Sequence, residues 1–325
     1  MTERTEALVI GAGVAGLTTA VCLAEQGRAV RVLAERPPRE TTSAVAGAII
    51  GGPLVSDEAE ATAKFSPVDV TGAWQRASLT EFTALADRPG TGVHTARGRL
   101  VNQNADGGRQ LAESLPGFEV CDEKESAGFA VACWATMPII DMPVYLDHLA
   151  ERVRAAGGSV ETGTVTSLAE AAAQAPLVVN CAGVGARALA EDPTVVPVRG
   201  QHVIVENPGV EEFFYEQNAG GKATSFFPHG SRLVLGGTAT REDWSLEPDP
   251  AQTQEILSRC IAVEPRIEGA RITGVEVGLR ASRKQLRLEA ETVGGSRIIH
   301  NYGHGGIAVG LSWGCARVVL DLAAG

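Results

Sequence analysis

Apolar residues fill Ala7–Ile10 and then recur at helical spacing over Val14–Glu25 (Val14, Leu17, Val21) until Gly27 stops the run. A short apolar block followed by a 3.6-residue rhythm predicts a buried strand and then an amphipathic helix. A second apolar run, Ala29–Leu33, predicts the next strand. Beyond a loop rich in charge and turn residues, RPPRETTSAVAGAIIGGP, the rhythm predicts a helix around Trp74–Leu85 and a strand over Val93–Val101. Met142–Gly158 repeats Leu146, Leu149 and Val153 on one face, which predicts a glycine-capped helix. Pro176–Gly183 is continuously apolar, as in a parallel strand covered on both faces.

Residues 197–240 change character, with short β-branched and aromatic runs between turns that predict antiparallel sheet. A charged helix is expected over Pro250–Val263 and a strand over Ile272–Arg280. The closing segment reads as a strand, the glycines Gly303, Gly305 and Gly306, and an apolar helix. The class is therefore α/β, with a parallel part interleaved with a mixed, antiparallel part.

Gly11, Gly13 and Gly16 take the spacing G-x-G-x-x-G between the first strand and its helix. The first glycine allows a tight turn, the second lets backbone approach a pyrophosphate, and the third brings helix and strand together. The amides of Val14, Ala15 and Gly16 then open the helix at its positive end. Glu35 follows the glycines by about twenty residues, where a carboxylate accepts from adenosine ribose hydroxyls and repels a 2′-phosphate. FAD or NAD fits this arrangement better than NADP, and a glycine turn that packs without ligand is the plain alternative.

The chain has 325 residues and a formal charge of −11, which disfavours nucleic acid and anionic membrane as partners. Its six cysteines lack C-x-x-C spacing and read as thiols rather than disulfides or a metal site. The first residues, MTERTEALVIG, lack the basic flank and cleavage site of a signal peptide, and no unbroken apolar run reaches about 18 residues. Cytoplasmic location without a membrane span is the expectation.

Several motifs together resemble the D-amino-acid oxidase family of FAD-dependent flavoenzymes. They are VIGAGVAGL with Glu35 and Arg36, TTSAVAGA over Thr41–Ala48, VVNCAGVGARAL over Val178–Leu189, PVRGQ over Pro197–Gln201, LGGT over Leu235–Thr238 and HNYGHGG over His300–Gly306. The resemblance implies a discontinuous Rossmann-like FAD-binding domain from residues 1–50, 142–190 and 281–325, and a substrate domain from 51–141 and 191–280. It implies FAD contacts from the first glycine turn, Glu35, Arg36, Thr41, Thr42, Ser43 and Gly47. Further contacts are implied for Cys181, Ala182, Gly183, Gly303, Gly305, Gly306 and Ile307, the last three offering backbone N–H groups to the reduced flavin. The implied reaction oxidises the Cα–N bond of an amino acid to an imine by hydride transfer to flavin N5, with O2 reduced to H2O2.

In the family an arginine ahead of the terminal motif grips the substrate carboxylate, and that position falls on Arg280. Two family tyrosines are replaced, one by Ser225 and one by Gly221. Ser225, Tyr215 and His229 are the candidates to compensate, with Ile49 and Phe227 as further pocket residues. Loss of the phenols, together with AIIGGP in place of an aromatic segment, points to a widened pocket and a bulky or N-substituted substrate. A secondary or cyclic amine substrate, a non-catalytic FAD-binding protein and an NAD enzyme are the competing readings, and the chain allows a homodimer.

Overall fold

The structure is a computed structural model that describes residues 5–49, 68–86, 88–104, 113, 115–217 and 221–325. The stretch Ile50–Pro53, part of the segment read as widening the pocket, lies outside the described residues. The strands are β1 (Ala7–Ile10), β2 (Val30–Ala34), β3 (Val93–Asn102), β4 (Glu119–Val120), β5 (Val131–Ile140), β6 (Ser159–Thr162) and β7 (Leu177–Asn180). They continue as β8 (Val196–Glu206), β9 (Phe213–Gln217), β10 (Ser225–His229), β11 (Arg232–Gly236), β12 (Thr240–Arg241), β13 (Ile272–Val293) and β14 (Ser296–His304). The helices are α1 (Val14–Glu25), α2 (Val68–Ala86), α3 (Met142–Ala155), α4 (Leu168–Ala172), α5 (Ala186–Leu189), α6 (Pro250–Val263) and α7 (Ala308–Ala324).

Five strands run parallel in the order β6-β2-β1-β7-β14. Every residue of β1 and β7 is buried, because α1, α3 and α7 cover one face and α4 the other. That double cover explains why these strands read as unbroken apolar runs. The carboxyl ends of β2, β1, β7 and β14 share one edge of the sheet, where the turns that follow them meet.

β13 joins this half to the rest. It pairs antiparallel with β8 as far as Ser282 and with β14 from there on, with a register shift between Ser282 and Arg287. Its 22 residues extend well past the strand expected to end at Arg280. Arg283 and Arg287 interrupt the apolar pattern, so alternation alone does not reveal that the strand continues. Beyond β8 the order is β11, β10, β9, β3, β5 and β4, antiparallel except for β3 with β9. The ten-residue β5 has no counterpart in the sequence reading. It is buried at eight of ten positions, so it shows no alternation, and Pro138 interrupts its propensity.

Side chains alternate across this second half, and register assigns them to faces. Val203, Val205, Phe214, Phe226, Leu233 and Leu235 pack with Ile256 and Cys260 of α6. The opposite face carries Tyr215, Ser225, Phe227, Gly236, His202 and Arg280 and turns toward residues 41–49. The segment Gly305–Ala324 is long and apolar enough to cross a membrane by length and composition, with a mean hydropathy of 1.5 over its most apolar stretch. Here α7 packs along α1 and α2, with Leu311, Trp313, Cys315 and Val319 buried.

Candidate active site

The glycine turn after β1 is shaped by contacts that leave no room for side chains. Gly11 has φ +107°, and a Cβ on it would run into the carbonyl oxygen of Cys181. A Cβ on Gly16 would run into the carbonyl oxygen of Gly11, so helix and strand touch there. Gly13 caps α1 without a side-chain hydrogen bond, and the Val14 N–H donates to Ser43 Oγ at 3.0 Å. Thus residues 41–43 reach the amide end of α1. Cys181, Ala182 and Gly183 follow β7, and Gly303, Gly305, Gly306 and Ile307 end β14 and open α7, on the same sheet edge. Glu35 and Arg36 stand exposed just past β2 on that edge. Burial pushes the Cys181 thiol up to about 12, so it stays protonated at neutral pH.

A helix end with a glycine N-cap, a turn without Cβ atoms and an acid one strand away suit the pyrophosphate and ribose of a dinucleotide. The residues present therefore fit FAD.

Thr42 carries this edge across to the face of Arg280. Its hydroxyl donates to the Leu279 carbonyl at 3.2 Å and accepts from the Leu279 N–H at 3.3 Å. The neighbouring Arg280 donates from Nη1 to the Thr238 carbonyl at 3.1 Å, and its guanidinium lies on the bare Cα of Gly200. Any side chain at position 200 would displace it. Along the same face, Tyr215 and Gly236 are the register partners of Ser225, and His202 is the partner of Glu276. The Ser225 Oγ and the His202 ring both lie against Gly236. Phe227 packs on Gly47, 6.2 Å from the Tyr215 ring, and Ile49 bridges to Ile139.

Two titrating groups respond to this setting. Burial raises the Tyr215 phenol while the Arg280 charge opposes the rise, so the hydroxyl keeps its proton at neutral pH. His202 is pushed down to about 4, by burial first and by Arg280 second, although its bond to the Val45 carbonyl opposes the shift. Its imidazole is therefore neutral at physiological pH.

Other candidates fall elsewhere. His229 shares a face with Ser225 but lies four residues along β10, edge-on to His94 with ring centroids 5.3 Å apart. It lines a separate cleft of about 480 Å³ with Arg88 and Asp141 and is not brought to Arg280. Arg283 pairs with Asp192 at 2.9 Å, and Arg287 bonds Glu289 at 2.6 Å and the Tyr302 hydroxyl at 3.0 Å. His300 is held between Asn180 and Glu291, and His304 by Asn301. Arg199 of PVRGQ is buried on the far face, where it donates to Ser245, Glu247, Gln201 and Gln252.

His202 is the site residue absent from the sequence reading. Its signal lies in register, since positions 200 and 202 share a face of β8, but which face meets Arg280 depends on pairing with β13.

A family profile described as FAD dependent oxidoreductase matches residues 6–322. A D-amino-acid oxidase of Streptomyces coelicolor is 46% identical over 322 residues, covering 98% of this chain and 96% of that protein. The human D-aspartate oxidase is 33% identical, covering 95% and 91%. Among solved structures, glycine oxidase from Geobacillus kaustophilus superposes with a TM-score of 0.77 at 19% identity, covering 99% of this chain and 95% of its own. The fold agrees with the last and the sequence with the first two. The chain belongs to the D-amino-acid oxidase family of FAD-dependent oxidoreductases.

Proposed function

We propose that this protein oxidises the Cα–N bond of D-amino acids to the imine, with Arg280 as the carboxylate anchor. The observation that carries the reading is the Arg280 guanidinium laid on Gly200, one residue from the Thr42 clamp that reaches the cofactor edge. When bound, FAD would supply a two-electron acceptor at N5, with O2 as the terminal acceptor reduced to H2O2.

The protein's own residues bind and orient. Arg280 offers two parallel N–H groups to a carboxylate, which fixes the α-carbon and its hydrogen in direction. Tyr215, standing cross-strand from Ser225, supplies a protonated phenol near the same carboxylate. The strand next door thus compensates for the phenol absent at Ser225. Phe227 and Ile49 line the remaining wall, which suits an apolar side chain. His202, held near 4, is a poor base at neutral pH, so the substrate must bind with its amine already neutral. The apparent kcat/KM then rises with pH until the free substrate's ammonium has titrated.

A bulky or N-substituted amino acid is the second reading, favoured by the small Ser225 side chain beside Gly236. We place the protein in the cytoplasm.

The test is anaerobic flavin bleaching across D-alanine, D-valine, D-methionine, D-aspartate, sarcosine and proline, repeated with Tyr215→Phe. D-Valine and D-methionine should bleach the flavin fastest. Tyr215→Phe should raise the apparent KM about 10- to 100-fold, the worth of a hydrogen bond to a charged group. Bleaching by sarcosine and proline alone would move the substrate class to secondary amines. Persistent colour throughout would leave a non-catalytic flavoprotein.

A further inference from the structure

Two side chains fasten residues 41–49 to the sheet on either side of Arg280. One is Thr42, bonded to both backbone groups of Leu279. The other is His202, whose Nδ1 lies 2.6 Å from the Val45 carbonyl oxygen. A carbonyl only accepts, so Nδ1 carries the hydrogen. The ring lies against Gly236, the last residue of β11, and Gly237 after it, where a Cβ would stand 2.8 or 3.0 Å from Nε2. Bare glycines therefore fix the ring's position, and only 8% of the residue is exposed. Just beyond Val45, Gly47 packs on Phe227, so the segment crosses the floor of the site with little freedom.

We propose that His202 is a positioning residue that, through Nδ1, sets the height of residues 41–49 above the Arg280 guanidinium. The proposal rests on the reading that this segment holds the cofactor while Arg280 holds the substrate. Arg280 locates one reactant and residues 41–49 the other, so the gap between them depends on the struts that join the two. Thr42 governs the end at β13 and His202 the middle, over β8 and β11. Removing the His202 strut should leave carboxylate affinity in place while the reacting atoms lose alignment, and a misplacement of about 1 Å costs about 100-fold in rate.

Asparagine places an N–H donor where imidazole has Nδ1, and glutamine places one where it has Nε2. His202→Asn should therefore keep the strut, while His202→Gln and His202→Leu lose it. Two measurements separate the variants. Hydrogen exchange of a peptide spanning 41–49, read without added substrate, should quicken about 10-fold in the Gln and Leu variants and stay as in the parent in Asn. In the FAD-loaded proteins, anaerobic reduction by D-valine should slow at least about 10-fold in Gln and Leu, with the apparent dissociation constant of D-valine changed less than about 3-fold. The Asn variant should follow the parent in both. Unchanged exchange in the Gln variant, or an Asn variant as impaired as Leu, would overturn the proposal. If D-valine leaves the parent flavin oxidised, the catalytic reading fails and the exchange comparison alone decides the strut.

Discussion

Arg280, Arg283 and Arg287 fall within one stretch of β13, and their surroundings give them different work. Arg283 neutralises the buried Asp192, which also accepts from the Tyr302 hydroxyl at 2.9 Å, whereas Arg280 lies over Gly200 beside the Thr42 clamp. Arg280→Ala should weaken carboxylate substrates by about 2–5 kcal/mol, read as apparent KM or as the dissociation constant of a carboxylate inhibitor. Arg283→Ala should leave that affinity within about 3-fold and lower stability by about 1–3 kcal/mol, discounted because Arg283 is 24% exposed. Equal loss of substrate affinity in both variants would remove the distinction. Asp192 adds a pH signature. Burial alone would raise its pKa, but hydrogen bonds from Thr194 and Tyr302 and the Arg283 charge prevail and bring it down to about 2. A depressed carboxyl stabilises the fold above its unfolded pKa, and that contribution is lost as pH falls toward the folded value. Urea unfolding should accordingly lose stability between about pH 4 and pH 2, and Asp192→Asn should flatten that part of the curve.

Among the elements, α1 allows a direct test of what a glycine does at each end. Gly16 inside the helix meets the Gly11 carbonyl, and Gly27 beyond it has φ +86° with open space around it. Gly16→Ala should separate helix from strand and abolish retained FAD. Gly27→Ala should cost about 1 kcal/mol through its left-handed backbone and leave flavin content unchanged. The ratio of flavin absorbance to protein in the purified variants decides it. The same contrast shows what was legible in the sequence. Patterns local to one stretch of chain, such as the glycine spacing, α1 and α6, are written in spacing and periodicity, and the structure places α1 and α6 at the expected residues. Elements whose burial comes from distant partners are not. β5 lacks alternation because both of its faces are covered, and β13 continues past Arg280 only because β14 takes over as its partner. His202 follows the same logic, since it reaches the Arg280 face through strand pairing that no local pattern encodes.

At the scale of the molecule, β13 makes the two halves one hydrogen-bonded sheet. It runs from β8, on the face of Arg280, to β14, which leads into the last glycine turn, with no loop between. Residues 41–49 bind the halves a second time, through Ser43 to Val14 on one side and Thr42 and His202 to the antiparallel half on the other. Neither half can lose its structure without unpairing a long strand in the other. Such coupling predicts that the FAD-loaded protein unfolds in one calorimetric transition, although its cofactor edge is gathered from the beginning, middle and end of the chain. It also predicts how the cofactor stabilises the whole. A ligand that binds only the folded state adds about 2.7 kcal/mol at a free concentration 100 times its dissociation constant. Added FAD should therefore move the fluorescence of Trp134, in β5, and of Trp313, in α7, to higher temperature together. Two resolved transitions, with FAD shifting only the one that reports Trp313, would show that β13 yields at the register shift between Ser282 and Arg287 and lets the halves unfold separately.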